Sequence, residues 1–369
     1  LNVPQNAIVD SLQGRGIIIS AGQLNALVTQ GHSIFHNEKE DILETGLKIV
    51  PYISVDDTGA RHQGHNGYCT HIGNDVFSYF KSTNSKSRVN FLRILRGRHN
   101  DYMISQESID YMMMHRIPPP LVNRFRGKLN KRIATEEEWE SLLHIIGIHR
   151  EHDKRIITEA ALLGSILSHG IKRDMVIVSD DAGQFDIVVL LHALCWLHAE
   201  RGLSTIVPIN DYHKKIIEDM RRKVWELYHN VQEYKQYPTK EKMLLLESQF
   251  DTLYRQETEF EDIKKALESM RQNKKELLLV LQRPEIPLHN NSSENAIRVY
   301  VLKRKIHGGT RSELGRECRD TFLSLKKTCR KLDISFYEYI LDRLTGRYRI
   351  PPLCQLLRER ILTPLSFPA

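Results

Sequence analysis

Apolar residues recur along this chain in two rhythms, a helical one at both ends and a strand-like one between. In the first thirty residues Ala7, Ile8 and Leu12 give one helical face, and Gly14-Arg15-Gly16 breaks it. Ser20 then suits the N-cap of a second short helix carrying Leu24, Leu27 and Val28. Two short helices about a glycine turn form either a helix-turn-helix or an ordinary helical hairpin. Residues 33–48 continue as helix. From Pro51 the pattern turns β-rich: Tyr52-Ile53-Ser54-Val55 runs into Asp56-Asp57, and residues 66–73 and 76–82 follow, with Asn74-Asp75 as the turn between them. Three strands in meander order are predicted, then a helix over 87–96 and a short strand over 101–105.

Pro118-Pro119-Pro120 marks a break, after which 121–168 read as mostly helical. Met175 to Val178 is a short run with β-branched residues, fitting a buried strand, and it too runs into paired acids, Asp180 and Asp181. Residues 187–195 are a further apolar segment. Residues 211–282 are rich in Lys, Glu, Gln, Leu and Tyr and almost free of Gly and Pro. They predict a helical hairpin or small helical domain, inserted so that it could be removed without touching the strands. Pro284 and Pro287 close it, and helix resumes near Ser292.

Composition sharpens this picture. A chain of 369 residues suggests two or three domains, and 41% apolar residues supply a core and exclude a disordered chain. No apolar run reaches the roughly 18 residues of a membrane span, and no signal peptide is legible at the start. Residue 1 is Leu, as expected of a chain that lacks its natural start. A net charge of +7 permits a polyanionic partner without demanding one. Five scattered cysteines with no C-x-x-C pair predict free thiols in a reducing cytosol.

Three carboxylates stand where chemistry is usually placed. Asp56 and Asp180 end strands, where side chains face the crevice at a sheet edge, and Glu294 lies in the first turn of a helix. Carboxylate oxygens are the ligands Mg²⁺ prefers, and acids from distant chain positions can hold the metals of phosphoryl transfer. Each acid also has a structural reading: Asp56-Asp57-Thr58-Gly59 and Asp180-Asp181-Ala182-Gly183 are turn-like, and Glu294 follows Asn291 at capping distance. Glu294, Arg298, Val301 and Lys305 share one helical face, with Lys303 and Arg304 flanking it. Such a face suits a phosphodiester backbone, or equally a solvated stripe with a Glu294–Arg298 pair. Cys195 and His198 have zinc-like spacing, but no second pair completes a zinc site. No phosphate-binding glycine loop and no G-x-S-x-G is present. Gly308-Gly309 reads as a helix C-cap or hinge.

The ordered set of Val55-Asp56-Asp57-Thr58-Gly59, Ser179-Asp180-Asp181-Ala182-Gly183-Gln184-Phe185, Cys195-Trp196-Leu197-His198 and Asn291-Ser292-Ser293-Glu294-Asn295-Ala296-Ile297-Arg298 resembles bacterial DDE transposases of the insertion sequence sixty-six family. So does the tail Gly308-Gly309-Thr310 with Gly315, Phe322, Ser324 and Thr328. The resemblance implies an α/β fold: an RNase H-like, retroviral-integrase-like core with a helical insertion and an N-terminal helix-turn-helix-like segment. It implies a triad of Asp56, Asp180 and Glu294, with Asp57 and Asp181 as alternatives to their neighbours, and His198 at the scissile phosphate or orienting a carboxylate. The organisation it implies is a DNA-binding segment over 1–32, a linker over 33–48, a core over 49–210, an insertion over 211–285, core completion over 286–345 and a tail over 346–369. The expected activity is Mg²⁺-dependent cleavage and strand transfer at transposon ends, with Mn²⁺ able to substitute. Arg61, Arg298, Lys303 and Lys305 would hold DNA phosphates. The expected partners are double-stranded DNA and further copies of the chain, in the bacterial cytoplasm at the nucleoid and not at a membrane. The alternatives are a non-catalytic DNA-binding relic or regulator, and an RNase H-like nuclease.

Overall fold

The computed structural model describes residues 3–187 and 189–362. Leu1, Val188 within the apolar segment 187–195, and the expected tail from 363 onward lie outside the described residues. The chain opens with helices α1 (Gln5–Gln13), α2 (Ala21–Thr29) and α3 (Ser33–Ile49), followed by strands β1 (Tyr52–His62), β2 (His65–Gly73) and β3 (Ser78–Thr83). Next come α4 (Arg88–Arg96), β4 (Tyr102–Met103), α5 (Gln106–Met114), α6 (Pro119–Arg126), β5 (Arg132–Ile133), α7 (Glu136–Ile146) and α8 (Glu151–Ser168). Strands β6 (Val176–Ser179) and β7 (Leu191–Leu194) precede α9 (Trp196–Ser204), α10 (Asp211–Tyr234), α11 (Lys240–Tyr254), α12 (Glu261–Gln272) and the short α13 (Lys274–Leu277). Helices α14 (Asn291–His307), α15 (Glu313–Lys331), α16 (Phe336–Leu344) and α17 (Leu353–Leu362) complete the described chain.

The fold is mixed α/β, with five strands hydrogen-bonded in the order β3-β2-β1-β6-β7 and a separate β4-β5 pair. By its contacts the chain divides into two compact units: 1–50, 56–173 and 292–369 form one, 51–55 and 174–291 the other. Strand β1 begins in the second and ends in the first.

In the first unit β1 turns into β2 through Gln63 and Gly64, both at positive φ, the backbone of a two-residue hairpin. β2 and β3 pair antiparallel, with Cys69 opposite Ser82 and Gly73 opposite Ser78. Ala60, Cys69 and Phe80 pack against Ala296, Ile297 and Tyr300 of α14 and Leu323 of α15. β3 is an edge strand, and α15 closes that edge with side chains. The backbone N–H groups of Ser78, Phe80 and Ser82 donate to Thr328 (3.1 Å), Ser324 (2.9 Å) and Asp320 (2.6 Å). Alternate strand residues stand about 7 Å apart and helix residues four apart about 6 Å, so the two repeats match. The edge thus has no free row of donors to recruit another strand. Ser324 and Thr328, prominent in the tail motif, do this work.

The N-terminal helices form as read. Ser20 caps α2 in a reciprocal box with Gln23, and Gly14 to Gly16 end α1. Strand β5 was not legible, because its two residues, Arg132 and Ile133, carry no alternation. The triple proline does not only break the chain: Pro118 is the N-cap of α6 and Pro119 its first residue, where a missing N–H costs nothing.

In the second unit β6 runs parallel to the start of β1, with Tyr52 opposite Val176, and β7 parallel to β6, with Ser179 opposite Leu194. Val176, Val178, Ala193 and Leu194 share one core with helices α10 to α12. Ile217, Met220, Val224, Leu227 and Val231 form the α10 stripe at helical spacing. The stretch 211–282 is therefore three main helices, and it is not removable from the strands, because their apolar side chains are buried against it.

Candidate active site

In the second unit, β6 carries the chain into Asp180. Its Oδ1 accepts the N–H of Ala182 at 3.3 Å, a tight turn of the Asx kind. Asp180 is half-buried and Asp181 exposed, and Asn273 of the segment after α12 reaches Asp181 at 3.5 Å. Cys195 is buried, and its backbone N–H donates to the Ser179 carbonyl at 2.9 Å. Trp196, next along, donates Nε1–H to the Leu277 carbonyl at 2.9 Å, which fixes the start of α9. Asp180, Asp181, Cys195, His198, Ser269 and Asn273 line a cavity of about 370 Å³. The cavity brings two carboxylates and an imidazole together on a wall that also holds Leu194, Ala199 and Met270.

His192 of β7 exchanges a hydrogen bond with the Ser179 hydroxyl at 2.7 Å. Burial holds its imidazole below the usual range against the pull of Asp186, Glu276, Asp181 and Asp180, so it acts as a neutral brace for the residue before Asp180. Asn290 is a second brace that sequence reasoning missed. Its Nδ2 donates to the Val55 carbonyl at 2.7 Å, immediately before Asp56, and its backbone N–H to Cys195 Sγ at 3.3 Å.

In the first unit β1 runs on to His62, so Asp56 lies within the strand and not at its end, and residues 56–59 form no turn; Asp56 and Asp57 are both half-buried. Strand alternation places Asp56 on the side of Ala60, the side that α14 covers, and Asp57 on the opposite side. Asp56 Oδ1 accepts the N–H of Asp57 at 2.7 Å. Glu294 sits in the first turn of α14. The neighbouring Ser293 is buried, its hydroxyl 2.6 Å from Nδ1 of His71 on β2. Burial, with Lys331 and Lys327 adding, keeps His71 well below the ordinary histidine range and hence neutral. Lys331 of α15 donates to the carbonyls of Asn74 and Phe77 and to Ser292 Oγ, the last two at 3.0 and 3.3 Å. Burial pulls the Lys331 ammonium down to about 8, against the pull of Asp75 and with help from Lys327. The turn that carries Glu294 is thus clamped from β2 and from α15. Asn291 is the first helical residue.

The predicted cations separate into distinct surroundings. Arg298 is exposed and makes the i,i+4 contact with Glu294 at 3.9 Å. Lys305 is exposed, one turn beyond Val301. Arg61 lies at an exposed position of β1, where Nη2 donates to the Gly64 carbonyl at 3.3 Å. Arg304 donates to the Gly59 carbonyl. Lys303 instead turns toward α15, half-buried beside Lys326. Gly308, at φ +68, ends α14 as a C-cap, and at Gly309 a Cβ would come within 2.5 Å of the Arg61 carbonyl, so the pair serves both turn and close approach.

One further cluster escaped the sequence reading because its members are far apart in the chain: His99, Asp101 and His169, with potential ligand atoms within 4.8 Å of one another. Arg132 Nη1 lies 2.8 Å from Asp101 and 3.2 Å from His169 Nε2. A guanidinium already stands where a cation would sit, so this is a charge network of the fold. The five cysteines are free, and among the described residues no helix is long and apolar enough to cross a membrane.

A model of the family described as Transposase IS66 family matches residues 157–317, a stretch that includes Asp180, Cys195, His198 and Glu294. The chain is also 42% identical over 322 residues to a Sinorhizobium fredii (strain NBRC 101917 / NGR234) protein named "Uncharacterized protein y4jO", over 86% of this chain and 100% of that relative.

Proposed function

The chain belongs to the Transposase IS66 family, and from that premise we propose that it is a metal-dependent DNA transposase whose acidic triad is Asp56, Asp180 and Glu294. The observation that carries this reading is the content of the matched segment: an aspartate at the end of a buried parallel strand, a histidine on the same cavity wall, and a glutamate on a clamped helical turn. Asp56 lies outside that segment and joins the triad on the resemblance and on strand alternation.

The donor set fits a hard divalent cation. All three groups are partly buried carboxylates, and Asp180 borders a cavity with room for water, which suits Mg²⁺, an ion that keeps several waters of its own. Asp56, Asp180 and Glu294 would hold it, with Mn²⁺ as a substitute. When bound, such ions supply charge stabilisation at the attacking and leaving oxygens of an in-line displacement. The nucleophile is water and later a freed 3′-hydroxyl: its oxygen bonds to phosphorus as the bond to the leaving oxygen breaks, and its proton passes to solvent. His198 sits on the cavity wall to steady the scissile phosphate. Arg61, Arg298 and Lys305 hold flanking phosphates, which position DNA without reading it. Helices α1 and α2 serve end recognition in the manner of a helix-turn-helix, and paired cutting at two ends calls for more than one copy on bacterial DNA.

Mn²⁺ titration of the full chain with duplex DNA present, read by electron paramagnetic resonance, tests this. The wild type binds Mn²⁺, and Asp180→Asn and Glu294→Gln each weaken binding at least about tenfold, the cost of a lost charged ligand. A chain that binds DNA and no Mn²⁺ is a DNA-binding relic, and the enzymatic reading fails.

A further inference from the structure

We infer that the groove bounded by α14, α15 and the start of α16 is a seat for consecutive phosphates of a DNA backbone. Lys303 of α14 and Lys326, Lys327 and Arg330 of α15 line one cavity of about 540 Å³. Lys326, Lys327 and Arg330 share a face of α15 with Leu323 by their i, i+3, i+4, i+7 spacing. Among the described residues none of the four cations has a carboxylate partner, whereas Arg298, Arg316 and Arg343 of the same three helices each have one. Asp333 is the one acid on the groove wall, and it is engaged by Arg360 at 3.1 Å.

Four like charges held together this way repel one another. Burial depresses the Lys303 ammonium, with Lys326 and Arg319 adding, and burial depresses Lys327, with Arg330 and Lys326 adding. A fold gains nothing from this arrangement by itself, and an anion in the groove reverses the sign of every term. The N-terminus of α16, capped by Ser335, borders the same groove and adds its partial positive charge.

The shape selects the anion. Lys326 and Arg330 stand one helical turn apart, about 6 Å along α15, and Lys303 faces them from another helix. A single phosphate cannot meet all of them, whereas a row of phosphates can. Apolar floor residues such as Leu323 and Phe336 suit the sugars between phosphates. The inference rests on DNA being the substrate of the proposed function, and it adds a surface distinct from the exposed face of Arg298 and Lys305.

The test is duplex-DNA binding by the full chain, measured by fluorescence anisotropy across a series of KCl concentrations. Lys326→Gln/Lys327→Gln lowers the steepness of the salt dependence by about 1.8, at about 0.9 per lost phosphate contact, and weakens binding about tenfold or more at moderate salt. Lys326→Arg/Lys327→Arg keeps both. An unchanged slope in the glutamine variant, or the same loss in the arginine variant, overturns the inference. Acetylation of the wild type gives a second readout independent of folding of the variants: DNA protects Lys326 and Lys327, and equal labelling with and without DNA contradicts the assignment. Titration with inorganic phosphate separates the sources, since saturable phosphate binding with an unaltered DNA slope makes this a small-anion site instead. If the wild type binds and cuts DNA while the slope is insensitive to these lysines, the groove assignment alone fails. If the wild type binds no DNA, the proposed function fails with it.

Discussion

His71 Nδ1 lies 2.6 Å from the hydroxyl of Ser293, and the residue after Ser293 is Glu294. A buried neutral histidine on β2 therefore sets the first turn of α14, and with it the third acid of the proposed triad. Lys331 adds a second hold on the same turn through Ser292. Two side chains from other elements thus hold the turn that carries Glu294.

Replacing Ser293 by alanine leaves the His71 ring without this partner in a fully buried setting. The expected cost is about 1–2 kcal/mol in denaturant unfolding. DNA cleavage should fall while DNA affinity stays within a few-fold, because the loosened turn carries an acid of the proposed triad and not a proposed docking surface. Unchanged stability in this variant would contradict the clamp.

Lys331 supplies a pH signature. Its folded value of about 8 lies below the ordinary 10.5, so between these values the unfolded chain holds a proton that the folded chain has released. Stability must then rise with pH across that window. Measured against Lys331→Met, the wild type gains roughly 2–3 kcal/mol between the two values. The comparison subtracts the titration of other lysines and tyrosines. A parallel course of the two proteins would show that Lys331 is not buried as described.

Much of this architecture is legible in the sequence, for local reasons. Ser20 with Gln23 marks a helix start, Asn74-Asp75 marks the β2–β3 turn, and the Met175 to Val178 run marks a buried strand ahead of Asp180. The β1–β2 hairpin was less visible, because Gln63-Gly64 lacks the Asn-Gly signal such turns usually carry. The supports of the candidate site were not legible at all. His71 meets Ser293 across 222 residues and Lys331 meets Ser292 across 39, and no periodicity or spacing rule reaches that far. The same holds for Lys303: helical geometry places it beside the exposed stripe, and only the packing of α15 reveals that it is half-enclosed among other cations.

The helices of 211–282 are a structural part of the strand unit, and Phe250 reports on this. It is fully buried, edge-on to Trp196 at 6.4 Å and 4.3 Å from the Tyr254 ring. Phe250→Ala should cost about 3–5 kcal/mol. Hydrogen exchange should show faster exchange in β6 and β7 together with α11. Acceleration confined to α10–α12 would mean a separable insertion after all.

The most direct test of the central claim is metal-dependent cleavage of a supercoiled plasmid that carries the chain's own coding region and its flanks. With Mg²⁺ or Mn²⁺ the wild type should nick or cut the plasmid, and chelation should stop it. Asp56→Asn, Asp180→Asn and Glu294→Gln should each abolish the products with DNA binding kept within a few-fold, while Asp57→Asn and Asp181→Asn remain active. Undiminished cleavage by Glu294→Gln, or no cleavage by a wild type that binds DNA and metal, would contradict the account.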